Sequence, residues 1–164
     1  MNEPIESSLV IERTYTAEPK ELWELWTTKE GFESWWGPQE FRADVHTIEP
    51  RQGGALHYDM VADTPKAVTA MEKMGAPTSH PCRGTFSEFR PHERLVLTQV
   101  IDFLPGVEPY DSTIAVDFFA AGEGRVRMVV TLSQMHDAAT TGMQREGFLS
   151  QLSKLDKRYH WQAD

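Results

Sequence analysis

The chain has 164 residues, 40% of them hydrophobic, a formal charge of −9 and one cysteine. That length can bury one sizeable core, the lone Cys82 excludes an intramolecular disulfide, and no apolar run is long enough to insert in a bilayer as a helix. The acidic balance argues against general binding to nucleic acid, which requires clustered lysine and arginine.

The first residues, Met1-Asn2-Glu3-Pro4, lack the charged-then-apolar pattern of a secretory leader, so the expected location is cytoplasmic. Residues 9–16 alternate apolar and polar and predict a strand. Residues 17–28 predict a helix, with Pro19 in its first turn, Glu18 and Glu21 near its positive end, and an apolar face of Leu22, Trp23, Leu25 and Trp26. A second short helix spans 29–36 and is stopped by Gly37-Pro38. Strands at 41–48 and 55–62 flank Pro50-Arg51-Gln52-Gly53-Gly54, which reads as a hairpin turn. A register opposing Val45 and Tyr58 keeps both apolar faces together and also opposes His46 and His57.

Residues 64–75 have helix punctuation at both ends: Asp63 or Thr64 as cap, Pro65 at the first position and Gly75 just past the last. This helical insertion carries Ala67, Met71 and Met74 as a narrow apolar stripe. Two roles fit the stripe, a lid over a cavity mouth and a cover for a sheet edge. Four further strands follow at 80–89, 94–103, 111–119 and 125–133, separated by turns rich in glycine and proline. A last helix, 138–159, starts after Asp137 as N-cap and places Phe148, Leu149, Leu152, Leu155 and Tyr159 at helical spacing.

Several stretches carry a family resemblance: Trp35-Trp36-Gly37-Pro38, Thr47-Ile48-Glu49-Pro50-Arg51-Gln52-Gly53-Gly54, and the long run from Arg83-Gly84-Thr85-Phe86-Ser87-Glu88 through Thr98. Glu146-Gly147-Phe148 stands where the family commonly has Glu-Gly-Trp. Together, over residues 9–159, they resemble the bacterial relatives of the activator of heat-shock protein 90 ATPase, within the START-like (SRPBCC) superfamily. The resemblance implies an α+β helix-grip fold: one domain over 1–164, with a curved antiparallel sheet of six or seven strands wrapped around the C-terminal helix. It does not choose a function, because this superfamily uses one scaffold for lipid carriage, hormone sensing, cyclisation, oxygenation and co-chaperoning.

A sheet wrapped around a helix leaves a cavity wherever the two stand apart, and the residues expected to line it are Trp35, Tyr58, Met60, Phe86, Leu97, Phe103, Met128, Phe148 and Leu152. The same composition also suits a packed core. Tyr58, Tyr110 and the Trp35 indole are candidate hydrogen-bond donors for orienting a ligand. Glu88 shares a strand face with Phe86 by alternation and is the first candidate for proton transfer, although no catalytic residue is assigned.

His46, His57, Asp44 and Asp59 fall on the polar face of the first hairpin without a complete ligand set, so no metal is expected. Cys82 reads as a small half-buried hydrophobe. No phosphate-cradling glycine loop or nucleophile motif is present, and no cofactor is expected. The expected function is binding of a small hydrophobic or amphipathic molecule between sheet and helix. An enzyme using the cavity without a bound cofactor and a co-chaperone-like interaction module are the alternatives, and a homodimer is left open.

Overall fold

The computed structural model describes residues 9–102 and 106–161. In chain order the elements are β1 (Leu9–Thr16), α1 (Pro19–Thr27), α2 (Lys29–Glu33), β2 (Phe41–Ile48), β3 (Ala55–Ala62), α3 (Pro65–Lys73), β4 (Ser79–Arg90), β5 (Arg94–Ile101), β6 (Tyr110–Ala120), β7 (Arg125–Leu132) and α4 (Ala138–Arg158). The strands form one sheet in the order β1-β7-β6-β5-β4-β3-β2, with every neighbouring pair antiparallel. The sheet is thus a meander from β2 to β7, closed by the first strand laid against the last, with α4 across its concave face. This is the helix-grip arrangement.

Local chemistry accounts for the element ends. Pro19 occupies the first turn of α1, where its missing N–H costs nothing. Thr28 ends α1 and caps α2, its hydroxyl accepting the Gly31 N–H at 3.0 Å. Thr64 and Asp137 cap α3 and α4 in the same way, accepting from Ala67 N at 3.1 Å and Thr140 N at 2.7 Å. Lys157 and Arg158 in the last turn of α4 complement its negative end.

α2 is shorter than the sequence suggests, because residues 34–36 leave the helix as a turn whose Trp36 N–H still reaches Phe32 O at 3.0 Å. Gly37 then adopts φ +105°, a conformation open to glycine, and turns the chain into β2. The corner packs Trp26 against Trp35 and Trp36 with ring centroids 5.0 and 5.4 Å apart, and Phe32 stacks on Trp36 at 4.5 Å. Each such pair is worth about 0.5–1.5 kcal/mol beyond the area it buries.

Two β-bulges correct the simple alternation of the strands. In β2 the expected pairing of Val45 with Tyr58 is present, but the register shifts after it, so that Thr47 and not His46 faces His57. His46 instead reaches Asp59, Nε2 to Oδ2, at 2.9 Å. In β4 the shift falls between Phe86 and Glu88. An extra residue reverses the parity of everything after it, so Phe89 packs edge-on to Trp23 at 5.0 Å while Glu88 turns to the surface. Among the described residues no helix is long and apolar enough to cross a membrane.

Candidate functional site

Gly147 gives the first half of α4 an unusually thin wall. A Cβ built there would meet only Pro38 Cγ, at 3.9 Å. Beneath it, between α4 and the sheet, lies a cavity of about 440 Å³, within the range of ~300–1,000 Å³ usual for small-molecule sites. α4 contributes Thr140, Met143, Gln144, Gly147, Phe148 and Gln151 to its lining. The sheet contributes Tyr58 and Met60 from β3, His80 from β4, Gln99 and Ile101 from β5, Ile114 from β6 and Leu132 from β7. Trp36 and Pro38 from the corner, Phe41 from β2, Met71 from α3 and Met135 before α4 complete it.

Four of these side chains are methionines, whose flexible thioethers adapt to varied surfaces. None of the described lining residues is Asp, Glu, Lys or Arg. An ionised ligand would therefore lose its water without gaining a counter-charge.

The polar groups are few and mostly bonded. Tyr58 Oη accepts from Trp36 Nε1 at 3.0 Å and from Gln99 Nε2 at 2.9 Å. Burial raises the Tyr58 phenol well above its ordinary value, so it stays protonated. Burial likewise pushes the neighbouring Cys82 thiol up to about 11 and moves His80 below its ordinary 6.5. All three groups are neutral near pH 7. Gln151 is only 4% exposed, and its Oε1 accepts the Gly37 N–H at 2.9 Å. Its Nε2 and the Gln144 Oε1 are buried without a partner among the described residues.

Of the residues expected at the site, the structure brings Tyr58, Met60 and Phe148 together around the cavity, with Met71 from α3. Trp35 does not line it: its indole N–H donates to Leu25 O at 2.8 Å inside the corner, and the adjacent Trp36 faces the space instead. Phe86, Leu97, Met128 and Leu152 are on the apolar face but are fully packed in the core, with exposures of 0–1%, and do not line the cavity. Tyr110 pairs with His136 Nδ1 at 2.9 Å, outside the lining. Phe103 lies outside the described residues. In α3, Ala67 is buried without lining the cavity, and Met74 is 72% exposed.

Glu88 is corrected as a proton-transfer candidate. The bulge removes it from the apolar face, and its carboxylate accepts from Arg94 Nε at 3.1 Å and Arg90 Nε at 3.0 Å. The hydrogen bond from Arg94 leads in holding this carboxyl below its ordinary range. It is a half-buried structural ion pair. Among the described residues, no three or more His, Cys, Asp or Glu side chains gather as a metal site.

Gln144 and Gln151 were not singled out from sequence. The available signal was Gln151 itself, a polar residue set into the stripe of Phe148, Leu152 and Leu155. Such an interruption marks either a satisfied buried amide or a group aimed at a ligand.

No curated protein matches the sequence. Among solved structures, a protein from Chromobacterium violaceum superposes with a TM-score of 0.74 at 19% identity, covering 93% of this chain and 96% of that one. An AHSA1 protein from Silicibacter pomeroyi gives 0.71 at 17% identity, with the same coverage of 93% and 96%. A protein from Arthrobacter aurescens gives 0.72 at 24% identity, over 91% of this chain and 83% of that one. At these identities the likeness establishes the shared fold. The family model described as "Activator of Hsp90 ATPase homolog 1-like protein" matches residues 16–159, and the chain belongs to this START-like family.

Proposed function

We propose that the chain binds a small hydrophobic or amphipathic molecule in the cavity between the sheet and α4. The observation that carries this reading is a space of about 440 Å³ walled almost wholly by methionine, aromatic and aliphatic side chains. Apolar burial at roughly 25 cal/mol per Å² supplies the driving force, and the adaptable methionines suit ligands of varied shape. The START-like fold, which commonly holds hydrophobic ligands, supports the same reading. α3 is a lid in this proposal, reaching the cavity through Met71.

The test is fluorescence titration with N-phenylnaphthylamine, a neutral apolar probe. Wild type should enhance its emission saturably, and Gly147→Leu, which projects a side chain into open space, should weaken binding by about tenfold or more. Circular dichroism should still show a cooperative melt for that variant. Absence of enhancement with wild type, or equal affinity for a folded Gly147→Leu protein, overturns the proposal.

A further inference from the structure

We infer that the ligand is uncharged and carries a hydrogen-bond acceptor of carbonyl or amide type, seated against the side-chain amide of Gln151. This deepens the ligand-binding reading above and rests on it.

The orientation of Gln151 is fixed by chemistry. Its partner at 2.9 Å is the backbone N–H of Gly37, which can only donate, so the atom facing Gly37 must be the carbonyl oxygen. The amide nitrogen is thereby turned the other way. Gln151 lines the cavity as a residue and is 4% exposed, and its Nε2, itself fully buried, carries two N–H groups with no acceptor among the described residues. Buried donors are rarely left in this state, because an unmade hydrogen bond forfeits hydration without replacement.

A second amide lies on the same wall. Gln144 Oε1 is also buried and unpartnered, and it sits seven residues earlier on α4, hence on the same face. Two helical turns separate the two Cα atoms by about 10 Å along the helix. Between them Gly147 contributes no side chain, which leaves a corridor along the helix. An elongated molecule fits this arrangement, with an acceptor at its deep end on Gln151 and an apolar body over Ile114, Leu132 and Met60. A polar group of the ligand then meets Gln144, near the 66% exposed Met143 at the mouth. The described lining carries no acidic or basic residue except His80, which burial favours in its neutral form, and so it selects against carboxylates and ammonium groups.

The experiment is displacement of N-phenylnaphthylamine by ligands of matched length, namely undecane, methyl nonyl ketone, decanamide and decanoate, on wild type and Gln151→Leu. Each affinity is corrected for the compound's partition into an apolar solvent. In wild type the ketone and the amide should then exceed the hydrocarbon by about ten- to hundredfold, and decanoate should have the weakest uncorrected affinity. In Gln151→Leu the ketone advantage should vanish while undecane binding is kept. Wild-type protein labelled with nitrogen isotope gives a second readout that requires no variant to fold: the Gln151 side-chain amide protons should shift on addition of the ketone. If the ketone advantage survives in Gln151→Leu, if decanoate equals the ketone, or if the ketone displaces the probe without moving those protons, the inference is overturned while the cavity reading stands. If neither the probe nor any of the four compounds binds, both are overturned.

Discussion

The two halves of α4 meet one sheet in opposite ways. Residues 148–158 press Phe148, Leu152 and Leu155 into the core, and Asp156 Oδ1 accepts from Tyr15 Oη at 2.6 Å and Arg13 Nε at 3.0 Å. Residues 138–147 contain no buried side chain and instead carry Thr140, Met143, Gln144 and Gly147 over the cavity. One continuous helix thus divides two duties along its length, with Phe148 and Gln151 past the boundary also lining the cavity. The second half supplies the close packing that stabilises the fold, so the first half can stand away from the sheet without threatening it.

The largest effect expected from this division is on stability. Leu152→Ala, at a position with 0% exposure, should destabilise the protein by about 2–5 kcal/mol in urea unfolding. Met143→Ala should cost less than about 1 kcal/mol, since a mostly exposed side chain has little burial to lose. Equal costs at the two positions would erase the distinction between the halves.

A smaller effect concerns exchange. Met71 touches the cavity and Met74 points to solvent, so Met71→Ser should speed probe release several-fold in stopped-flow measurements with little change in association, while Met74→Ser should match wild type. Identical release from all three proteins would make α3 an edge cover only.

The smallest effect is on pH dependence. Burial leads in lowering His80 from its ordinary 6.5, so its neutral form contributes stability that is present above about pH 6.5 and lost as pH falls through the depressed folded value. An apolar occupant would desolvate the ring further, and probe affinity should therefore decline below that pH. His80→Phe should flatten the profile. A decline that persists in this variant would assign it to another group.

The fold was legible in the sequence because its elements are marked at their ends: Pro19 and Pro65 at helix starts, Thr64 and Asp137 as caps, glycine turns between alternating strands. The site was legible only in part. Alternation tells which face of a strand is inward, but not whether the helix above that point is near or far. Met128 and Met60 therefore read alike, although one is sealed under the packed half and the other lines the cavity. Trp35 is expected at the cavity and Trp36 takes that place, because the corner that separates their roles is a turn where the sequence suggests a continued helix. Glu88 was placed on the wrong face by a single bulge residue, for which Ser87 gives no strong signal.

The aromatic corner has an optical consequence. Trp36 forms part of the cavity wall and donates its indole N–H to Tyr58 at 3.0 Å, whereas Trp35, one residue earlier, is sealed and bonded to Leu25 O. Filling the cavity would change the polarity around the first indole and leave the second in place. On the proposed reading the protein thus carries its own emitter at the cavity wall, so that occupancy should shift the emission of unlabelled protein.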